Sequence, residues 1–163
     1  MKTDSKGIEL IKKYESLHDG DLKMIGLQPK MCPAGIWTEG YGRAMRDDKG
    51  LFIKGAENRK LAFSRITINT EKEAMLALEQ DLKIYENIVI RNVKVTLTQN
   101  QFNALVSYVY NTGGSSTLYS LINTKATKAK IQNWFETKYI SAGGVTLPGL
   151  VKRRKEESNL YFS

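Results

Sequence analysis

Hydrophobic residues recur at helical spacing along most of this chain and alternate in only one short stretch. Near the start, Ile8, Ile11 and Tyr14, with Leu10 beside them, predict a helix over 6–14 that Ser5 can cap, and Glu15 stands at its C-terminal end. Gly20, Gly26 and Pro29, spread among charges, predict a loop from there to Cys32. Residues 36–43 then alternate as a short strand would. Asp48-Lys49-Gly50 before Leu51-Phe52-Ile53 predicts a hairpin returning alongside it. On a regular strand Thr38 and Gly40 share one face while Trp37, Glu39 and Tyr41 share the other. Gly40 and Gly42 allow close approach of a ligand or another backbone, or a bulge.

The rest reads as helix. Thr70 with Glu73 forms a capping box ahead of Ala74, Leu78, Leu82 and Tyr85 on one face, flanked by Met75 and Ile84. Thr98 with Gln101 forms a second box, and Phe102, Leu105, Val106 and Val109 follow the spacing of a buried helix that ends at Asn111-Thr112-Gly113-Gly114. Further helices are predicted over 117–123 and 125–137, the latter with Ile131, Trp134 and Phe135 as core. Gly143-Gly144 breaks the chain, and a last helix starts near Pro148, which suits a first turn, and carries Arg153 and Arg154. One small sheet among these helices predicts an α+β fold.

Composition changes this picture modestly. A length of 163 residues suits one domain with a buried core. Lys plus Arg number 25 against 17 for Asp plus Glu, a net charge of +8, so a polyanionic partner such as nucleic acid, anionic lipid or bacterial cell wall fits the surface. The basic residues are scattered. Their one run, Lys152-Arg153-Arg154-Lys155, continues into Glu156-Glu157, so nucleic acid is not the expected partner. One cysteine excludes an intrachain disulfide, and one histidine excludes a paired-histidine zinc motif, so neither a metal nor a cofactor is expected. Met1-Lys2-Thr3-Asp4-Ser5 has no apolar run behind it and no stretch is long enough to cross a bilayer, which predicts a chain made in the cytoplasm without a signal peptide and with no stable membrane insertion.

Candidate chemistry gathers between Tyr14 and Arg43. A carboxyl group at a helix C-terminus meets the negative end of the helix dipole, which favours the protonated form a general acid needs. His18 and Cys32 would have to meet in space to form a Cys/His hydrolase, and one histidine in a polar loop is more often a surface residue.

Glu15 followed by Cys32-Pro33-Ala34-Gly35-Ile36-Trp37-Thr38-Glu39-Gly40-Tyr41-Gly42 resembles the active-site segment of the phage-type lysozymes, or endolysins, of glycoside hydrolase family 24. Two later blocks continue the resemblance: Thr98-Gln99-Asn100-Gln101-Phe102-Asn103-Ala104-Leu105 to Tyr110-Asn111-Thr112-Gly113, and Leu147-Pro148-Gly149-Leu150-Val151-Lys152-Arg153-Arg154. The resemblance implies one lysozyme-like domain over 1–163, with a sheet-bearing lobe over about 16–69. The helix from Thr70 would join that lobe to a helical lobe over about 70–163, which takes in the N-terminal helix. It implies Glu15, Cys32 and Thr38 as the catalytic set, with Gly40, Asn111 and Arg153 contacting substrate or lying near the glutamate. It also implies peptidoglycan as partner, a monomer, and access to the wall through a membrane lesion. The loop between Glu15 and Cys32 is longer than in compact members, Glu39 stands where an aliphatic residue is common, and Arg43 stands where histidine often follows.

Cleaving a glycosidic bond needs an acid at the leaving oxygen and a group that guides water, or a nucleophile, to the anomeric carbon. Glu15 suits the first role. The position matching a second carboxylate holds Cys32, and an ordinary thiol, with a pKa of ~8.5, is a poor base at neutral pH. Positioning water with Thr38, forming a thiolate and acting as nucleophile all stay open for Cys32. Asp19 and Asp21 lie in the loop within reach of a cleft, whereas Glu39 should point away from the face of Thr38. The reading that follows is a muramidase cleaving between N-acetylmuramic acid and N-acetylglucosamine. The alternatives are a wall-binding module without turnover and a Cys32/His18 amidase.

Overall fold

The computed structural model describes residues 1–20 and 23–163 of the chain. It is an α+β fold in two compact units, Glu15–Asp81 and Met1–Tyr14 with Leu82–Ser163. Both divisions fall inside helices. The division between Asp81 and Leu82 lies partway along a continuous helix.

In the unit Glu15–Asp81, strands β1 (Lys30–Met31), β2 (Trp37–Glu39) and β3 (Arg43–Ala44) form an antiparallel sheet in that order. Lys30 pairs with Thr38 and Met31 with Trp37, so β1 belongs to the stretch that polarity alone marked as loop. The single strand expected over 36–43 is interrupted after Glu39. Gly40 and Gly42 have φ of 57° and 90°, a region that disfavours L side chains, and they turn the chain into β3. The expected turn at Asp48-Lys49-Gly50 is present, with Asp47 Oδ1 accepting from Lys49 and Leu51 N–H, each at 2.9 Å, and Arg46 bridging to Phe52.

Strand alternation is only part of what decides burial here, because Trp37, Thr38 and Glu39 are all buried. Trp37 joins Met45, Ile53 and Ala62 in a core cluster and meets Phe63 edge-on at 6.0 Å. The Glu39 carboxylate accepts from Thr67 N–H at 2.9 Å, Thr67 Oγ1–H at 2.6 Å and Ile68 N–H at 3.1 Å, which ties β2 to a distant segment. A short 3-10 turn (Ala56–Asn58) and α2 (Arg59–Phe63) close this core.

The helix opened by the Thr70/Glu73 box, α3 (Glu71–Asn92), buries Ala74, Leu78 and Leu82 as expected but exposes Ile84. Arg43 docks β3 on it, with Nε and Nη2 each 2.9 Å from Asp81 and Nη2 2.7 Å from the Ala77 carbonyl.

In the other unit, α1 (Ser5–Glu15, here through Tyr14) is capped by Asp4 rather than by Ser5. Asp4 Oδ1 accepts from Lys6 and Gly7 N–H at 3.0 and 3.3 Å and from Asn103 Nδ2 at 2.6 Å, so a residue 99 positions away selects the cap. Helix α4 (Gln99–Thr112) has the expected Thr98/Gln101 box and a left-handed Gly113 beyond its end. It is buried at every position from Phe102 to Val109, so one apolar face describes it poorly. Helix α5 (Ser116–Asn123) is followed by Lys125 at φ 54°, which delays α6 (Lys128–Thr137) past the expected start at 125. The break at Gly143-Gly144 is the turn of a hairpin, β4 (Ser141–Ala142) with β5 (Val145–Thr146). Helix α7 (Pro148–Tyr161) packs on α4 and α6.

Candidate active site

The cleft of interest, about 460 Å³, lies within the unit Glu15–Asp81. The end of α1 supplies Glu15, the following loop His18 and Asp19, β1 Lys30, and the β1–β2 turn Cys32. Each is placed by local backbone. Glu15 is the last residue of α1, and Gly42 lies so near it that a Cβ there would stand 3.3 Å from Glu15 Oε2. His18 N–H donates to the Gly40 carbonyl at 2.8 Å, and Gly20 N–H to the Gln28 carbonyl at 3.0 Å, which folds the loop against the sheet. Cys32 opens a tight turn, its N–H on the Ile36 carbonyl and its carbonyl accepting from Gly35 N–H, both at 2.8 Å. Its thiol is half-buried.

Thr38 stands behind this lining with only 5% of its surface exposed. Its hydroxyl donates to the Lys30 carbonyl at 2.8 Å and lies 2.7 Å from His18 Nδ1. His18 is therefore no loose surface residue. Burial and the neighbouring Lys30 charge hold its pKa below the ordinary histidine value, against an opposing pull from Glu15 and from the Thr38 and Glu15 backbone.

Among the described residues the structure thus brings Glu15, Cys32, His18 and Asp19 to one cleft, with Thr38 beneath it. Asp21 lies outside the described residues. Glu39 is committed to Thr67 and Ile68, as its expected facing away from Thr38 requires. Gly40 is buried, and a Cβ on it would come within 2.9 Å of Ile68 Cδ1. In this structure it turns the strand and holds His18.

Asn111 and Arg153 belong to the other unit. Asn111 Oδ1 accepts from Arg154 Nη2 at 2.8 Å. Arg153 and Arg154 are 3% and 0% exposed, so neither faces solvent. Both reach Glu157 Oε1 at 3.2 Å, Ser107 Oγ–H donates to the same oxygen at 2.7 Å, and Arg153 also lies over the Tyr14 ring. Burial raises the Glu157 pKa against the pull of both guanidinium groups. The spacings of 153 and 154 to 157 are the i, i+4 and i, i+3 intervals of helical ion pairs, a signal the sequence carried.

Among the described residues, no group of three or more His, Cys, Asp or Glu side chains is arranged to hold a metal ion, and no helix is long and apolar enough to cross a membrane.

Comparison with known proteins adds family information to this geometry. The profile of the family described as Phage lysozyme matches residues 23–157. The endolysin of Acyrthosiphon pisum secondary endosymbiont phage 1 is 31% identical over 170 aligned positions, covering 100% of this chain and 99% of that protein. The endolysin of Bacillus phage B103 is 30% identical over the whole chain, which spans 55% of that longer protein. Among solved structures, the muramidase domain of SpmX from Asticaccaulis excentricus superposes with a TM-score of 0.73 at 27% identity, over 99% of this chain and 98% of that one.

Proposed function

The chain belongs to the phage lysozyme family, and from that premise we propose that it is a muramidase, hydrolysing the bond between N-acetylmuramic acid and N-acetylglucosamine in peptidoglycan. The observation that carries the reading is Glu15, ending α1 at the wall of a cleft that also holds Cys32 and rests on Thr38 through His18. Glu15 donates a proton to the leaving oxygen, and the Cys32 side of the cleft receives the water or nucleophile. Gly40 contributes through the turn that frames the cleft. Asn111 and Arg153 contribute sugar contact or support for the acid. The net charge of +8 draws the protein to the anionic wall. Made in the host cytoplasm, it reaches that wall through a membrane lesion and works as a monomer.

The test is reducing-sugar release from purified peptidoglycan. Glu15→Gln, with its fold intact by circular dichroism, should lose about 100- to 10,000-fold in rate, the usual worth of a general acid. Unchanged release would remove the assignment. The shared cleft of Cys32 and His18 favours a second reading, an amidase. That reading predicts released peptide amines and complete inactivation by thiol alkylation.

A further inference from the structure

We propose that His18, oriented by Thr38, is the base that takes the proton from the attacking water in this cleft. The proposal rests on the muramidase reading and fills the place left by a second carboxylate.

A carbonyl oxygen can only accept, so the single hydroxyl proton of Thr38 goes to Lys30 O at 2.8 Å. The contact of 2.7 Å between Thr38 Oγ1 and His18 Nδ1 then requires Nδ1–H to donate. That assigns the tautomer with the lone pair on Nε2, on a ring that lines the cleft and also faces the Glu15 backbone. Thr38 itself is too buried, and its proton too committed, to take a proton from water. It serves as a positioning residue, the orienting group behind a histidine base.

The charged and titratable groups around the ring are Glu15 at the end of α1, Lys30 on β1, Asp19 next in the chain and Cys32 across the cleft. Burial and Lys30 outweigh Glu15 and the Thr38 and Glu15 backbone, which holds the ring below the ordinary histidine value and favours the neutral form that can accept.

In the step itself, the water oxygen bonds to the anomeric carbon as the bond to the leaving oxygen breaks. One water proton passes to Nε2 while the Glu15 carboxyl proton passes to the leaving oxygen. The imidazolium and carboxylate then exchange a proton through solvent, restoring both.

His18 is the single histidine of the chain, so its ring nitrogens can be read directly by 15N NMR in the unmodified protein. The expected result is the Nδ1–H tautomer, with a titration midpoint that coincides with an acid-side limb in the rate of reducing-end release. An Nε2–H tautomer, or a midpoint away from the limb, overturns the proposal. His18→Asn keeps an N–H toward Thr38 and removes the lone pair at Nε2. It should pellet with walls like wild type, lose about 100- to 10,000-fold in rate, and lose the acid-side limb. A rate near wild type, a limb that persists, or a limb abolished by Asp19→Asn while His18→Asn stays active would each overturn it. Wild type releasing no reducing ends at all overturns the muramidase reading itself, a distinct result.

Discussion

Two polar clusters, one in each compact unit, solve opposite problems. Arg153, Arg154, Glu157 and Ser107 lie in the helical unit with between 0% and 3% of their surfaces exposed, and the chain pays for removing three charges from water by facing them to one another. Glu15, His18, Lys30 and Cys32 keep access to an open cleft, with Thr38 alone sealed behind them. In the first cluster the charged groups are committed to one another. The second couples its buried hydroxyl to groups that can meet a substrate. Charge in this molecule is paired where it is enclosed, and chemistry is available where one buried group holds an accessible one.

The comparison is tested most severely by Glu157→Gln. Two guanidinium groups would remain buried with their anion gone, and the expected cost is about 3–5 kcal/mol in denaturant unfolding. A cost below about 1 kcal/mol, the worth of an exposed pair, would show that the network is more hydrated than its burial implies.

A smaller effect is expected from Thr38→Val, which leaves the Lys30 carbonyl and the His18 Nδ1–H facing a methyl group. Unfolding should become easier by about 1–3 kcal/mol, and reducing-end release should fall as well, because the ring loses its orientation. Thr38→Ser should restore both. A stability loss with the rate unchanged would move Thr38 from the second cluster into the class of the first.

What could be read from the sequence follows the range of the interaction involved. The two capping boxes, Thr70/Glu73 and Thr98/Gln101, are contacts three residues apart and formed as expected. Pro148 and Gly113 mark helix ends through their own backbone preferences. The choice of Asp4 over Ser5 as cap depends on Asn103, and the burial of Glu39 depends on Thr67 and Ile68, partners that no local pattern reveals. Strand β1 pairs only two residues, too few for a periodic signal. In the candidate site, Glu15, Cys32 and Thr38 were legible through a resemblance in motif. His18 was discounted because its partners, Lys30 and Thr38, stand 12 and 20 positions away in the sequence.

The smallest expected effect is a dependence of stability on pH. The pKa of His18 is lowered in the folded state by burial and Lys30, so folding disfavours protonation of the ring. Above the unfolded value of about 6.5 neither state binds the proton, and the ring imposes no cost. As pH falls through that value toward the folded pKa, the unfolded chain gains a proton that the native ring resists, and stability declines. Carboxylates elsewhere also respond to acid, so the informative quantity is the difference between wild type and His18→Asn in unfolding free energy at about pH 7.5 and about pH 5. Wild type should lose more than the variant across that interval. Equal losses would mean that the ring is as free to charge in the folded protein as in the unfolded chain, and the contrast between an open, poised cluster and a sealed one would then rest on Thr38 alone.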